Sequence, residues 1–153
     1  MSNQENESRN DTSDVKLWLR MLSCVKLIET DLRKKLRENF EFTLPRFDLL
    51  SQLQRHPEGI KMKELSRLML VTDGNITSLV DGLEKMGLAE RILNDQDRRS
   101  NYIKITPQGN ELFELISIEH KKWLDGLLKN INPQDKALLY DLLSTLKNSL
   151  TKE

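Results

Sequence analysis

Residues 72–109 decide the fold of this 153-residue chain, and their sequence is TDGNITSLVDGLEKMGLAERILNDQDRRSNYIKITPQG. Apolar residues in the first part recur with the spacing of a buried helix stripe, at Ile76, Leu79, Val80, Leu83 and Met86. The opposite face carries small and polar residues: Gly74, Asn75, Thr77, Ser78, Asp81 and Gly82. A face of this kind can approach the major groove of DNA closely. Gly87 is expected to end the helix, because glycine adopts the left-handed capping conformation cheaply.

After Gly87, two alternating runs flank a polar segment and predict a β-hairpin. The runs are residues 88–93 and 101–105, and the polar tip, residues 94–100, carries Arg98 and Arg99. A recognition helix followed by a basic hairpin is typical of the winged helix-turn-helix arrangement. In that arrangement the helix enters the major groove and the wing reaches a neighbouring minor groove.

The sequence around the hairpin resembles the multiple-antibiotic-resistance regulator (MarR) family over residues 14–150. The matching residues are Gly87, Leu88, Arg91, Asp95, Gln96, Asp97, Arg98, Arg99, Ser100, Ile105, Thr106 and Gly109. The resemblance implies a mainly α-helical fold with a small β-hairpin wing, in which long N- and C-terminal dimerisation helices flank a winged helix-turn-helix core. It also matches Asp97 and Arg99 to the family's wing motif, in which the acid braces an arginine that enters the minor groove.

The composition favours a helix-rich soluble protein, with 37% hydrophobic, 31% charged and only 5% aromatic residues. No apolar run is long enough to cross a bilayer, so we expect a cytoplasmic, nucleoid-associated protein without a membrane partner. The formal net charge is +0, and residues 61–109 contain eight basic and seven acidic residues, a balance of +1. DNA binding therefore requires the positive groups to be gathered on one face.

The order of segments predicts three regions. Residues 1–13 have low hydrophobicity and no period, so we expect a disordered tail. Residues 14–42 and 107–150 form a helical dimerisation region, because their apolar stripes are wider than one neighbouring helix would cover. Residues 43–106 form the DNA-binding lobe. A two-fold dimer would place its recognition helices about one DNA turn apart, on the order of 34 Å.

Capping patterns predict the helix starts. Thr43 precedes Leu44-Pro45, and Thr106-Pro107 and Asn132-Pro133 each combine a capping side chain with proline at the first helical position. In the lobe, Phe47, Leu50 and Leu53 are expected to be buried on one helix. On the next helix we expect Met62, Leu65, Leu68 and Met69 to point inward, leaving Lys61, Lys63, Ser66 and Arg67 for solvent or phosphate.

Predicted DNA contacts fall on the recognition helix, the hairpin and the preceding helix. They are Thr72, Asp73, Gly74, Asn75, Thr77, Ser78, Arg98, Arg99, Lys61 and Lys63. Asparagine can pair with adenine at two points, and threonine and serine can serve either base type. Asp73 would repel phosphate, so we expect it to meet a cytosine amino group or a neighbouring side chain. The competing interpretation of these residues is a solvated helix face and a charged hairpin tip.

The resemblance implies control by a small aromatic or phenolic ligand. Trp18, Arg20 and Phe47 are candidate wall residues of its pocket, and the alternative is that they belong to the core. Cys24 is the one cysteine in the sequence, and its apolar neighbours Leu22 and Val25 favour a buried structural thiol over a redox sensor.

The sequence contains no glycine-rich phosphate loop, no catalytic triad pattern and no cysteine or histidine cluster for a metal. We therefore expect neither enzymatic activity nor a cofactor. The prediction is a homodimeric MarR-type regulator, with repression as the expected sign, that binds a pseudo-palindromic operator in double-stranded DNA. The alternative is a winged-helix module that binds a protein partner instead of DNA.

Overall fold

The computed structural model describes residues 3–94 and 97–151, and it describes side chains for residues 13–93 and 102–151. Six helices and three strands lie within these ranges. They are α1 (Asn3–Phe40), α2 (Leu44–Arg55), β1 (Ile60–Lys61), α3 (Met62–Met69), α4 (Asp73–Lys85), β2 (Ala89–Asn94), β3 (Asp97–Ile105), α5 (Pro107–Leu127) and α6 (Pro133–Thr151). The predicted fold class, mainly helical with a small hairpin wing, is confirmed.

The three strands form one antiparallel sheet in the order β1-β3-β2. In its register Ile60 pairs with Ile103, and Ala89 pairs with Ile105. The sequence did not predict β1, because a strand of two residues is too short to display the alternation that marks strands. Pairing with β1 holds the inner part of the hairpin against the lobe.

The core of the lobe is built from the predicted apolar faces. Phe47, Leu50 and Leu53 of α2 are buried as expected. They are joined by Leu36, Leu49, Leu65, Ile76, Val80, Leu83, Ile103 and Ile116, all 0% exposed. Burial of each such side chain contributes roughly 1.5–3 kcal/mol, so this cluster supplies most of the force that sets α4 and the sheet in place.

Two compact units make up the chain, one up to Ile118 and one from Glu119 onward. The first contains the lobe and α1, and the second contains the end of α5 together with α6. The predicted division into residues 14–42 and 107–150 for dimerisation and 43–106 for DNA binding concerns contacts with a second copy. It stays a prediction.

Helix α1 begins at Asn3, whereas the sequence predicted disorder over residues 1–13 and a start at Asp14. For residues 3–13 the structure differs from that prediction. These residues include neither glycine nor proline, and extending an existing helix adds one hydrogen bond per residue without the cost of a new nucleus.

Most of the apolar stripe of α1 stays uncovered within one chain. Only Leu32 and Leu36, near its C-terminal end, are buried among its described side chains. Val15, Leu17, Trp18, Leu19, Val25 and Leu27 are each more than half exposed. Cys24 lies on this uncovered part and is exposed, so the expectation of a buried thiol is wrong for the single protomer.

The two later helices start where their caps predicted. The Thr106 hydroxyl accepts the Gly109 N–H at 3.0 Å and donates to the Gly87 carbonyl at 2.7 Å. The side-chain oxygen of Asn132 accepts the Asp135 N–H at 2.8 Å. Among its described residues α6 buries none, although Leu138, Leu139, Leu142, Leu143, Leu146 and Leu150 lie along it.

Candidate nucleic-acid interface

Helix α4 presents a short-chained polar face to solvent. The Thr72 hydroxyl caps the helix by accepting the Asn75 N–H at 3.3 Å. Asn75, Thr77 and Ser78 are exposed, as are Thr72, Asp73 and Gly74, while Ile76, Val80 and Leu83 are buried. The Thr77 hydroxyl donates to the Asp73 carbonyl at 2.9 Å. Its oxygen is therefore left to accept a hydrogen bond, whereas Asn75 and Ser78 can both donate and accept.

The C-terminal end of the apolar stripe predicted for α4 differs from expectation. Met86 was predicted to be buried but is 43% exposed, because α4 ends at Lys85 and Met86 is its C-cap. Leu79 is half-buried. Gly87 adopts a positive φ of 73° after the helix, as its predicted capping role requires.

Asp81 and Gly82 were expected on the open face, and both are half-buried instead. Arg91 of β2 covers Asp81, and Arg46 of α2 lies over Gly82. The open face is therefore narrower than predicted and is flanked by two arginines at its C-terminal end.

Arg91 ties the hairpin to the recognition helix through three hydrogen bonds. Its Nη1 donates to Glu84 Oε2 and its Nη2 to Asp81 Oδ1, both at 2.6 Å, and its backbone N–H donates to Glu84 Oε1 at 3.0 Å. The hydrogen bond to Asp81, followed by the charges of Glu84 and Asp81, raises the pKa of Arg91 above its usual value despite the opposing effect of burial. This clamp offsets one of the two negative charges beside the face and fixes β2 against α4.

A groove of about 520 Å³ lies beside the start of α4, lined by Lys61, Lys63, Glu64, Ser66, Arg67 and Asp73. Lys61, Lys63 and Arg67 are exposed as predicted. The Lys61 ammonium lies 5.9 Å from the centroid of the Tyr102 ring, a cation–π contact that limits its freedom at the rim. Asp73 thus shares the groove with basic side chains, where its negative charge is offset.

Helix α3 differs from expectation in two side chains. Ser66 is buried, and its hydroxyl donates to the Val71 carbonyl at 2.7 Å, which fixes the turn into α4. Leu68, predicted to point inward, is 40% exposed. The cause is the short length of α3, which ends at Met69 before Leu70 adopts the left-handed conformation.

The second wing strand is longer than predicted, since β3 begins at Asp97, whereas β2 has the predicted six residues and is shifted by one, to Ala89–Asn94. The predicted tip over residues 94–100 is replaced by strand pairing between Asn94 and Asp97, with an irregularity between Leu93 and Asn94. The side chains of Asp97, Arg98 and Arg99 lie outside the described residues. Their predicted roles in minor-groove contact and bracing stay predictions.

The three candidate ligand residues differ in burial, and their role in a ligand pocket stays a prediction. Phe47 is buried, and its ring stacks on Phe113 with centroids 5.5 Å apart. Trp18 and Arg20 are exposed on α1. A separate cavity of about 350 Å³ lies where α1 meets α2, and it is lined by Arg33, Arg37, Glu41, Phe42, Thr43, Leu44 and Pro45.

None of the helices in residues 3–94 and 97–151 combines the length and the apolar character that a membrane span needs. The same residues contain no group of three or more histidine, cysteine, aspartate or glutamate side chains placed to hold a metal ion.

Two helices joined by a short turn, an outward polar face on the second helix and a three-stranded sheet ending in a hairpin define a winged helix-turn-helix protein. The sequence model described as "MarR family" matches residues 40–100. The HTH-type transcriptional regulator PecS of Dickeya dadantii is 26% identical over 148 residues, which is 93% of this chain and 89% of PecS. The resemblance to the MarR family is confirmed over residues 40–100, and the fold is that of a winged helix-turn-helix protein.

Solved structures agree with this fold. Sco3205, a MarR family transcriptional regulator from Streptomyces coelicolor in complex with DNA, superposes with a TM-score of 0.82 at 19% identity, covering 93% of this chain and 90% of Sco3205. A mutant of MarR from E. coli complexed with operator DNA gives a TM-score of 0.79 at 23% identity, covering 88% and 95% of the two chains.

Proposed function

We propose that the protein is a homodimeric transcriptional regulator that binds a pseudo-palindromic operator in double-stranded DNA. One observation carries the proposal: Asn75 and Ser78 stand exposed on α4, whose opposite side is fixed in the core by Ile76, Val80 and Leu83. A rigid helix with short hydrogen-bonding side chains on its open face suits contact with base edges in the major groove.

The charges around α4 support DNA as the partner. Lys61, Lys63 and Arg67 line the groove beside the helix start, and Arg91 reduces the repulsion of phosphate by Asp81 and Glu84. The nearly neutral charge balance of the sequence therefore conceals a local arrangement. Lys61 and Lys63 take part in no ion pair among the described side chains, whereas Asp81 and Glu84 are paired with Arg91. Such an arrangement favours phosphate contacts on both sides of the helix.

The uncovered apolar side chains support a dimer. Trp18 and its neighbours on α1 form one exposed apolar stretch, and the leucines of α6 form another. Exposed apolar surfaces of this extent on a helical protein favour association, and a two-fold dimer would present two α4 faces to two half-sites.

Regulation follows from the same scheme. A small aromatic or phenolic ligand that prefers a spacing of the two α4 helices unsuited to the operator would release the protein from DNA, to the extent of its differential affinity. Repression is the proposed sign, the cytoplasm and its nucleoid are the proposed location, and the protein is proposed to have no enzymatic activity.

Selection of bound fragments from random duplex DNA tests the proposal. We expect enrichment of an inverted repeat, bound by two protomers, with affinity that falls steeply as salt rises. Failure to enrich any sequence, together with salt-insensitive binding to a protein partner, would support the winged-helix interaction module instead.

A further inference from the structure

Arg46 of α2 lies against the recognition helix at Gly82, near the C-terminal end of α4. A Cβ atom at Gly82 would lie 3.2 Å from Arg46 Nη2, 3.4 Å from Nε and 3.6 Å from Cζ. Cζ, the centre of the planar group, is the farthest of the three atoms, so the Nε–Nη2 edge of the guanidinium lies nearest to Gly82. Glycine at this position therefore provides the space that the Arg46 head occupies.

This location lies at the edge of the polar face of α4. Gly82 follows Ser78 by four residues and Asn75 by seven, so the three positions share one face of the helix. Arg46 is the third residue of α2, and its N–H donates to the Thr43 hydroxyl that caps this helix. The guanidinium is thus held beside the polar face by a second, independently anchored helix.

None of the ion pairs among the described side chains includes Arg46. Arg91, on the other side of α4, satisfies Asp81 and Glu84. Arg46 is half-buried, so its side chain has little rotamer freedom left to lose on binding. A guanidinium that is in no ion pair suits a phosphate, because it can donate two parallel hydrogen bonds to the phosphate oxygens.

We infer that Arg46 binds a phosphate of the DNA backbone flanking the groove that α4 enters. Gly82 positions the Arg46 guanidinium by leaving space for it. The inference rests on the proposed function. It adds a binding residue that the sequence concealed, because Arg46 and Gly82 are 36 positions apart and only the packing of α2 on α4 joins them.

The test is the salt dependence of binding to a duplex selected by the wild-type protein, measured by fluorescence anisotropy. The slope of log K against log salt counts neutralised phosphates and changes by about 0.9 for each one in B-form DNA. We expect Arg46→Gln to reduce the slope by about 1.8 per dimer, one phosphate being lost per protomer. Arg55→Gln, which removes the same charge from the other end of α2, should leave the slope unchanged.

Gly82→Leu keeps Arg46 but fills the space that its guanidinium occupies, so this variant should reduce the slope as Arg46→Gln does. The double variant should reduce the slope no further. If the leucine side chain of the Gly82→Leu variant merely collided with DNA, the affinity would fall and the slope would stay unchanged. That result would contradict the role of Gly82 in positioning Arg46. A wild-type slope in Arg46→Gln, or in Gly82→Leu if Arg46→Gln fails to fold, would overturn the inference. Failure of the wild-type protein to bind any selected duplex would instead contradict the proposed function.

Discussion

Leu70 ends α3 with φ 54° and ψ 42°, in the left-handed region, and its side chain is 92% exposed. A non-glycine residue in this region costs roughly 1–2 kcal/mol, and an exposed leucine recovers little of that cost by packing. The turn between the two helices of the lobe therefore holds strain that the sequence does not reveal, since leucine is an ordinary helix residue.

We expect Leu70→Gly to stabilise the protein, by up to about 1 kcal/mol after the greater freedom of glycine in the unfolded chain is subtracted. Urea unfolding at one fixed protomer concentration measures the change. Leu70→Ala is the matched control, because it removes the exposed side chain and keeps the backbone strain. Equal stabilities of the two variants would show that the left-handed conformation is not the source of the effect.

Asp48 of α2 carries a second unfavourable feature. Burial, followed by the negative charge of Glu29, raises its pKa from 3.8 to about 6, against the lowering effect of Arg33. The folded state then binds more protons than the unfolded state between about pH 4 and pH 6. Stability from this group is fully present below that window and is lost as the pH rises through it.

Asp48→Asn should therefore raise the melting temperature at pH 7.5 and change it little at pH 4. Because the residue is exposed in part, the gain should be less than about 1 kcal/mol. Thermal melts at the two pH values measure it, with Glu58→Gln in the exposed turn after α2 as control. A gain of equal size at both pH values would contradict the role of the Asp48 charge.

Among the elements, α4 and the helix caps were the best predicted from sequence, because a 3.6-residue period and a cap are local signals. Ile76, Val80 and Leu83 are buried as their spacing indicated, and Asn75 and Ser78 are exposed. The parts that the sequence missed depend on contacts between elements. Strand β1 is defined by pairing with β3, and the Arg91 clamp joins residues that become neighbours only when the hairpin folds onto α4.

Removing the Arg91 side chain should lower the stability of the protein measurably. Arg91→Ala should lower the free energy of unfolding by about 1–2 kcal/mol, since two charge-assisted hydrogen bonds are lost and Glu84 is left partly buried without its partner. Arg67→Ala is the control, because the pair of Arg67 with Glu64 is long, 3.7 Å, and exposed. Chemical denaturation at fixed protomer concentration compares the two, and equal losses would contradict the account of the clamp.

At the scale of the whole molecule, the sequence indicated more apolar surface than one chain would bury. It did not indicate which apolar residues a single protomer leaves exposed. Val15, Trp18 and Val25 of α1 and the leucines of α6 are exposed in the single protomer, and Cys24 lies among the former. Periodicity marks an apolar face without saying whether the same chain or a second copy covers it. That is the reason why the buried state predicted for Cys24 was wrong for one protomer.

The central claim is that a dimer presents two outward α4 faces whose short polar side chains contact bases. Repeating the random-DNA selection with Asn75→Ala tests it most directly, because asparagine makes two hydrogen bonds to adenine that alanine cannot make. We expect an inverted repeat in which the base preference relaxes at one position of each half-site, symmetrically, at a cost of about 1–3 kcal/mol per contact. A selected sequence identical to that of the wild-type protein, or one without two-fold symmetry, would contradict it.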